Sequence, residues 1–323
     1  MNGGTTPQHE IVPVNTNRSQ PESRRPAHLL DTIRCLIALL VTAFLSVSVG
    51  ADDTEIVKLL KAKGAEFTES KGMVTAVSIS DGSKLTEDDF KQLTHLSNLK
   101  MVTLSKCLDD KQVALLPALA GLEYLQTNLA DVSDDGIKPL AQLKNLKTLK
   151  FFHPGKSFSG SGLAQLAEMP NLQSLTVAGS LEFNDEGMAA VGKLTGLKEF
   201  RTWHTGSTDE GVKKLKALKN LKSLYLGQRL TYKPPACPSD ETLAILADMK
   251  SLESLQLDEA RLTFTALQQL KQLSALKALT LGGIDISKED VERLKREVPG
   301  VKIDWTEPNE AYQKRIKALF GSR

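Results

Sequence analysis

The chain has 323 residues, of which 41% are hydrophobic and 25% are charged, so it can bury a core and is not a disordered chain. Its 41 basic and 39 acidic residues leave a formal net charge of +2, which argues against a nucleic-acid binder driven by phosphate contacts. Its three cysteines exclude a disulfide scaffold.

The chain begins with a leader whose parts are typical of an export signal. Residues 1–34 are polar and basic without apolar periodicity, which predicts disorder. Residues 35–51 contain an apolar run from Cys35 to Val49 and place small residues, Val49 and Ala51, at positions −3 and −1 of a cleavage site. The run is shorter than the about 20 residues of a membrane-spanning helix. We therefore expect export to the periplasm or the outside and no stable membrane span after cleavage, with an uncleaved anchor as the alternative.

Residues 52–73 are expected to form an N-terminal cap. Within them, residues 53–64 have apolar side chains at helical spacing and end on Gly64, a pattern that predicts an amphipathic helix. Such a helix would cover the open edge of the core that follows, because exposed sheet edges invite aggregation.

From residue 74 to residue 305 one unit recurs about nine times. Clear copies of Leu-x-x-Leu-x-Leu start at residues 146, 172, 221, 252 and 276, and less regular ones at 74, 99, 122, 197 and 301. Most steps are 23–26 residues, and the step from 221 to 252 is 31. Each copy predicts a strand with inward-facing apolar residues. No unit can bury its apolar face alone, so stacked neighbours must share one core.

The second half of the unit predicts a short helix. Four units begin it with a residue that caps helices, followed by acidic residues that favour the positive end of the helix dipole. These expected caps are Ser133, Asn184, Thr208 and Ser239. At the far end, residues 301–305 predict a last strand, and residues 306–323 a C-terminal cap containing a short basic helix.

The repeats resemble those of leucine-rich-repeat proteins with helices on the convex side, such as ribonuclease inhibitor, and secreted bacterial members of that group most of all. The resemblance covers residues 74–305. It implies an α/β fold, a leucine-rich-repeat solenoid shaped as a horseshoe, with a parallel sheet on the concave face and short helices on the convex face. It says nothing about the ligand.

Strand residues between the inward leucines should point to the concave face, because side chains alternate on a strand. Aromatic and basic residues concentrate there in the middle repeats, and such residues dominate binding hot spots. The predicted ligand-binding patch consists of Lys150, Phe152, Arg201, Trp203 and Tyr225. Because strands lie about 4.8 Å apart, we expect Phe152 and Trp203 to flank a shallow groove about 10 Å wide. The alternative is that these bulky side chains merely fill surface or pack against a neighbouring loop.

The unit that starts at 221 carries an insertion within residues 228–239, which contains three prolines. Insertions in solenoids become loops on one face, often the binding face, so this loop could form a wall of the same patch. The alternative is a tolerated insertion without a role.

Catalytic or metal chemistry has little support in the sequence. His153 and His204 end strands two repeats apart, and the sequence places no carboxylate to orient them. We expect no enzyme activity, cofactor or metal. The chain is interpreted as an exported, monomeric scaffold that recognises a protein, or alternatively a glycan, and no nucleic acid. The competing interpretation is a structural component of the cell envelope that self-associates or binds wall glycan.

Overall fold

The computed structural model describes residues 51–228 and 237–321 of the chain. Nearly all of the predicted export signal therefore lies outside the described residues. The described part contains one sheet in which eleven strands follow one another in chain order. The strands are β1 Ala65–Ser70, β2 Met73–Ile79, β3 Met101–Ser105, β4 Tyr124–Asn128, β5 Thr148–Phe152, β6 Ser174–Ala178, β7 Glu199–Trp203, β8 Ser223–Gly227, β9 Ser254–Asp258, β10 Ala278–Gly282 and β11 Lys302–Trp305.

Short helices alternate with these strands. The α-helices are α1 Ala51–Lys61, α2 Glu87–Thr94, α3 Asp110–Val113, α4 Asp185–Val191, α5 Asp209–Lys214, α6 Asp240–Leu246, α7 Phe264–Leu267, α8 Lys288–Glu297 and α9 Glu310–Phe320. Segments of 3-10 helix are Leu116–Ala118, Lys138–Gln142, Ser161–Leu166, Leu215–Ala217 and Gln268–Gln272. None of the described helices is both long and apolar enough to cross a bilayer.

The α/β leucine-rich-repeat solenoid expected from the sequence is confirmed. From β2 to β11 all neighbouring strands are parallel and pair in register, so that Leu149, Leu175, Phe200 and Leu224 form one column across the sheet. All four side chains are buried, and they belong to one continuous core with the apolar residues of the helices. Fully burying a side chain of this size stabilises the fold by about 1.5–3 kcal/mol, and the repeated column accumulates that gain unit by unit.

Seven of the parallel strands, β3 to β7, β9 and β10, are followed by a residue with left-handed backbone conformation, even where that residue is not glycine. His153 and His204 have φ of 47° and 54°, and Gly179 occupies the equivalent place with φ of 77°. A non-glycine residue in this region costs about 1–2 kcal/mol. Neighbouring repeats hold the conformation, because the amide of His153 donates to the carbonyl of Ala178 and that of Gly179 to the carbonyl of Trp203. The sheet ladder therefore continues through the turns.

The predicted helix caps are confirmed at Asn184, Thr208 and Ser239, whose side chains accept backbone amides of α4, α5 and α6. At Ser133 the expected short helix is a 3-10 segment and not an α-helix. The Ser133 hydroxyl does accept the amide of Gly136, but only a 3-10 segment follows, at Lys138–Gln142. Pro139 explains the difference, because a residue without an N–H cannot make the α-helical bond to the carbonyl four residues earlier.

Aspartate carboxylates join the helix starts of neighbouring repeats, and we call this series of contacts the carboxylate ladder. The aspartate after one cap accepts hydrogen bonds from the cap of the next repeat: Asp185 accepts both the amide and the hydroxyl of Thr208 at 2.7 Å. Asp110, Asp134 and Asp240 bind Ser133, Ser159 and Thr263 in the same way, and Asp209 accepts the hydroxyls of Ser239 and Thr242. The recurring acidic residues thus connect repeats in addition to complementing helix dipoles.

The N-terminal cap is a helix and a β-hairpin. The helix α1 ends at Lys61, three residues before the predicted end, and Gly64 has φ of 93° in the turn that follows. The unpredicted strand β1 pairs antiparallel with β2. Lys71 and Gly72 connect the two strands with φ of 53° and 75°, and positive φ at both central residues is typical of a type I′ hairpin turn.

The strand β11 is the last of the sheet, and the helix α9 follows it. Arg261 fixes the end of α9, because its guanidinium donates to the carbonyls of Phe320 and Gly321 at 2.8 and 2.9 Å and contacts Asp285 at 2.5 Å. Ile316 of α9 is buried. The helix therefore docks on the last repeats.

Candidate functional site

The candidate site lies on the face of the sheet opposite the helices, which we call the open face. In β4, β5 and β7 the second and fourth residues are buried, and the first, third and fifth are half-exposed. The register places these half-exposed positions in rows across the strands. Third positions form the row Lys150, Thr176, Arg201 and Tyr225, and fifth positions form the row Phe152, Ala178, Trp203 and Gly227.

Three aromatic side chains meet on this face, and we call them the aromatic cluster: Phe152, Trp203 and Tyr225. The ring centroids of Trp203 and Tyr225 lie 4.9 Å apart with an interplanar angle of 17°, so the two rings stack. The rings of Phe152 and Trp203 lie 5.8 Å apart at 58°. Such aromatic pairs contribute about 0.5–1.5 kcal/mol each beyond the area that they bury.

The groove expected between Phe152 and Trp203 is therefore not there. The strand spacing is as expected, but Ala178 between the two residues has only a methyl group, and it is 1% exposed. The two rings lean toward each other across it and make contact. The small side chain of Ala178 thus allows Phe152 and Trp203 to form one continuous surface instead of a groove.

Gly227 allows the stack to form. A Cβ atom at this position would lie 3.0 Å from the Cβ of Trp203 and 3.1 Å from Cε2 of Tyr225. These distances are below ordinary van der Waals separations of about 3.5–4.0 Å. The absence of a side chain at Gly227 is therefore what lets both rings approach the sheet.

The two basic residues of the predicted patch behave differently. The guanidinium of Arg201 lies 4.9 Å from the ring centroid of Tyr225 and 6.0 Å from that of Trp203, so it packs against the aromatic cluster. Its nearest carboxylate is that of Glu199 at 3.7 Å. The ammonium of Lys150 lies 5.1 Å from the ring centroid of Tyr124, on the side away from the cluster. The structure thus joins four of the five predicted residues and places Lys150 at their margin.

Asp258 extends the site by one repeat, although the sequence did not single it out. The Tyr225 hydroxyl donates to its carboxylate at 2.6 Å. Burial, more than any other cause, raises the pKa of both groups above their usual values. The proton consequently stays on Tyr225 at neutral pH, and the hydrogen bond holds its ring in the stack.

Thr176 is the unusual member of the row of third positions. The side chain is 1% exposed, and its hydroxyl has no hydrogen-bond partner among the described residues. Lys150 and Arg201 occupy the neighbouring strands at the same level. Its neighbours in its own strand on the same face are Ser174 and Ala178. The sequence offers no signal for this, because threonine is ordinary in a strand.

The two histidines lie at the strand ends beside the cluster. Nδ1 of His153 is 3.0 Å from the side-chain oxygen of Asn128. Nε2 of His204 is 3.9 Å from a carboxylate oxygen of Glu259, a pairing across two repeats that sequence spacing did not indicate. The described part of the chain contains no group of three histidine, cysteine or acidic side chains arranged to hold a metal.

Most of the insertion, residues 229–236, lies outside the described residues. The prediction that this loop forms a wall of the patch concerns those residues and stays a prediction. Its two ends are anchored to each other. The side-chain amide of Gln228 donates to the carbonyl of Pro238 at 3.0 Å, and Gln228 is buried.

Comparison with known proteins finds similarity in structure and not in sequence. No protein-family model and no curated protein matches the chain. Similar solved structures include an internalin, InlF, from Listeria monocytogenes (18% identity, 72% of each chain, TM-score 0.41). Human trophoblast glycoprotein is 18% identical over 70% of this chain and 84% of its own, with a TM-score of 0.49. TLR13 in complex with ssRNA13 is 17% identical over 67% of this chain and 38% of its own, with a TM-score of 0.43.

These solved structures are leucine-rich-repeat proteins. Similarity at this level concerns the fold alone. The binding chemistry of the site has to be argued from the residues of this chain.

Proposed function

We propose that the chain is an exported, non-enzymatic scaffold that recognises a protein partner through the open face of its sheet. The observation that carries this proposal is the half-exposed stack of Trp203 on Tyr225, with Phe152 and Arg201 against it. Trp, Tyr and Arg are the residue types that dominate hot spots in protein interfaces. The aromatic cluster is placed on rigid, fully hydrogen-bonded strands, so little conformational entropy is lost when a partner docks.

The geometry of the rings favours a protein over a glycan. One face of Trp203 is covered by Tyr225, and the ring of Phe152 lies against it as well. Tyr225 therefore occupies one indole face of Trp203, and the contact with Phe152 further reduces the indole surface on which a sugar could stack. A mixed surface of aromatic rings and the Arg201 guanidinium suits apolar and polar side chains of a protein.

The competing proposal is a structural envelope component that self-associates or binds wall glycan. It predicts oligomers or sedimentation with wall material, and indifference to changes in the aromatic cluster. The recognition scaffold predicts a monomer on size-exclusion chromatography at micromolar concentration.

Export is proposed from the leader of residues 1–51. It predicts that the protein isolated from its source begins at Asp52, which N-terminal sequencing tests. An intact leader on protein in the membrane fraction would favour the anchor.

The function is tested by affinity capture of a partner from the envelope fraction. The bait is the chain from residue 52 to 323, compared with the double variant Arg201→Ala, Trp203→Ala. The matched control is Arg293→Ala, Phe264→Ala, which removes the arginine that lies 4.2 Å over an aromatic ring on the helix side. Thermal melts verify that both variants fold.

We expect the partner to be retained by the control and lost by the open-face variant. Loss of a hot spot of about 2 kcal/mol or more weakens binding at least about 30-fold. A partner retained by the open-face variant and lost by the control would place the interface on the helices.

A further inference from the structure

We propose that Lys150, Thr176 and Arg201 form an anion-binding site that receives a single carboxylate from an acidic peptide segment of the partner. This inference rests on the proposed function and specifies the chemistry of the same face. It assigns a role to three neighbouring residues of one row, none of which belongs to the aromatic cluster.

The orphaned hydroxyl of Thr176 is the first argument. A buried hydroxyl without a partner destabilises the folded protein, and a valine of the same shape would avoid that penalty. A threonine here gains a purpose if a ligand supplies the missing acceptor. A carboxylate oxygen is a good acceptor for an O–H donor, and charge-assisted bonds of this kind are the strong ones.

The two flanking cations are the second argument. Lys150 and Arg201 lie on the strands either side of Thr176, so their Cα atoms are about 10 Å apart. Lys150 makes no ion pair with any residue in the described ranges, and Arg201 has only the contact of 3.7 Å with Glu199. Both are held mainly by cation–π contacts, worth about 0.5–1 kcal/mol at exposed sites, so each side chain can swing over Thr176 at little cost.

The charge balance of the row selects the anion. Two cations and the nearby Glu199 leave a local charge close to +1, and Asp258 lies two strands beyond Arg201. A single carboxylate neutralises this site, whereas a phosphate or a polyanionic chain carries more negative charge than the site balances and is repelled more strongly by the two acidic residues. The aromatic cluster in the next row offers apolar contact to a residue adjacent to the carboxylate, which suits an acidic residue within a peptide.

The test is selection from a phage-displayed library of random ten-residue peptides on immobilised chain 52–323. We expect the selected peptides to share an Asp or Glu next to an apolar residue. In a synthetic copy, exchanging that residue for its amide should weaken binding about tenfold or more. Raising the salt from about 0.05 M to about 0.5 M should also weaken binding, because it shortens the Debye length.

The decisive variants are Thr176→Val and its matched control Thr280→Val, at the equivalent position of β10. We expect Thr176→Val to fold with unchanged or higher stability and to bind the peptide about five- to tenfold more weakly. Thr280→Val should bind normally. Lys150→Ala should weaken the binding of the acidic peptide and leave the binding of its amide counterpart unchanged.

Three results would overturn the anion site. If selected peptides are acidic but bind Thr176→Val and Lys150→Ala normally, another part of the protein binds the carboxylate. If they lack acidic residues yet need Trp203, the anion site is wrong while the proposed function stands. If no selected peptide depends on Trp203, both the proposed function and this inference fail.

Discussion

The carboxylate ladder makes a quantitative prediction about one pair of residues, Asp185 and Gly211. Asp185 accepts two hydrogen bonds from Thr208, and bonds to a charged acceptor contribute about 1.5 kcal/mol or more each. Because Asp185 is half-buried, water can replace part of these hydrogen bonds in the variant. We therefore expect Asp185→Ala to lower the free energy of unfolding by about 2 kcal/mol. Alanine is favoured over glycine inside a helix by about 1 kcal/mol. Gly211→Ala should nevertheless destabilise, because a Cβ there would overlap a carboxylate oxygen of Asp185 and displace it from Thr208.

The assay is a double-mutant cycle in which the free energy of unfolding is measured by urea titration for the wild type, both single variants and the double variant. Once Asp185 is alanine, the overlap with its carboxylate is gone, and the contacts with Met188 Cγ at 2.9 Å and Cβ at 3.0 Å remain to oppose the gain in helix propensity. We therefore expect Gly211→Ala to become nearly neutral in that background, with a coupling of about 2 kcal/mol. If the effects of the two single variants on the free energy of unfolding add to within about 0.5 kcal/mol, Gly211→Ala does not act through Asp185.

Three further predictions concern the open face and its surroundings. Thr176→Val should raise the free energy of unfolding by about 1 kcal/mol in urea titrations, because it removes an unpaired buried hydroxyl; a loss of stability would contradict this. Gly227→Ala should separate the stacked rings and shift the fluorescence of Trp203 toward that of an exposed indole, and an unchanged spectrum would be evidence against close approach. Hydrogen bonds from Lys222 and Lys277 hold the pKa of Glu253 at about 2, below its usual 4.5, so its contribution to stability is present above about pH 4.5 and lost as pH falls toward 2. Urea midpoints should thus fall less between about pH 5 and pH 3 in Glu253→Gln than in the wild type, and equal declines would contradict the assignment.

The repeats were predictable because their signals are local and redundant. The spacing of the leucines determines which residues share a column, and the in-register pairing of Leu149 with Leu175 follows from it. The caps at Asn184 and Thr208 were equally predictable, because a capping side chain accepts hydrogen bonds from amides only two or three residues away. Pro139 carries a local signal against an α-helix after Ser133, although the apolar residues there have helical spacing.

The hairpin at the N-terminus was missed because β1 is an edge strand. Its exposure pattern has one buried residue followed by mostly exposed ones, so no alternation identifies it. The turn at Lys71 and Gly72 was the available signal, but lysine is not among the residues that usually accompany glycine in such turns.

The composition of the site was predictable and its shape was not. Alternation on a strand is enough to put Trp203 and Tyr225 on one face. Whether two rings flank a groove or touch depends on side-chain rotamers, and these depend on what lies between them, here Ala178. The pairing of Asp185 with Thr208 and the orphaned Thr176 hydroxyl likewise depend on distances between repeats, which a linear pattern does not contain.

The proposed function makes the open face at Trp203 the recognition surface. The chain has two tryptophans, and the second, Trp305, lies in the last strand, where it serves as an internal control. The most direct measurement is oxidative footprinting of both indoles by mass spectrometry, with and without the captured partner. We expect the partner to protect Trp203 and to leave the oxidation of Trp305 unchanged. Unchanged oxidation of Trp203 in a saturated complex would contradict the proposed function.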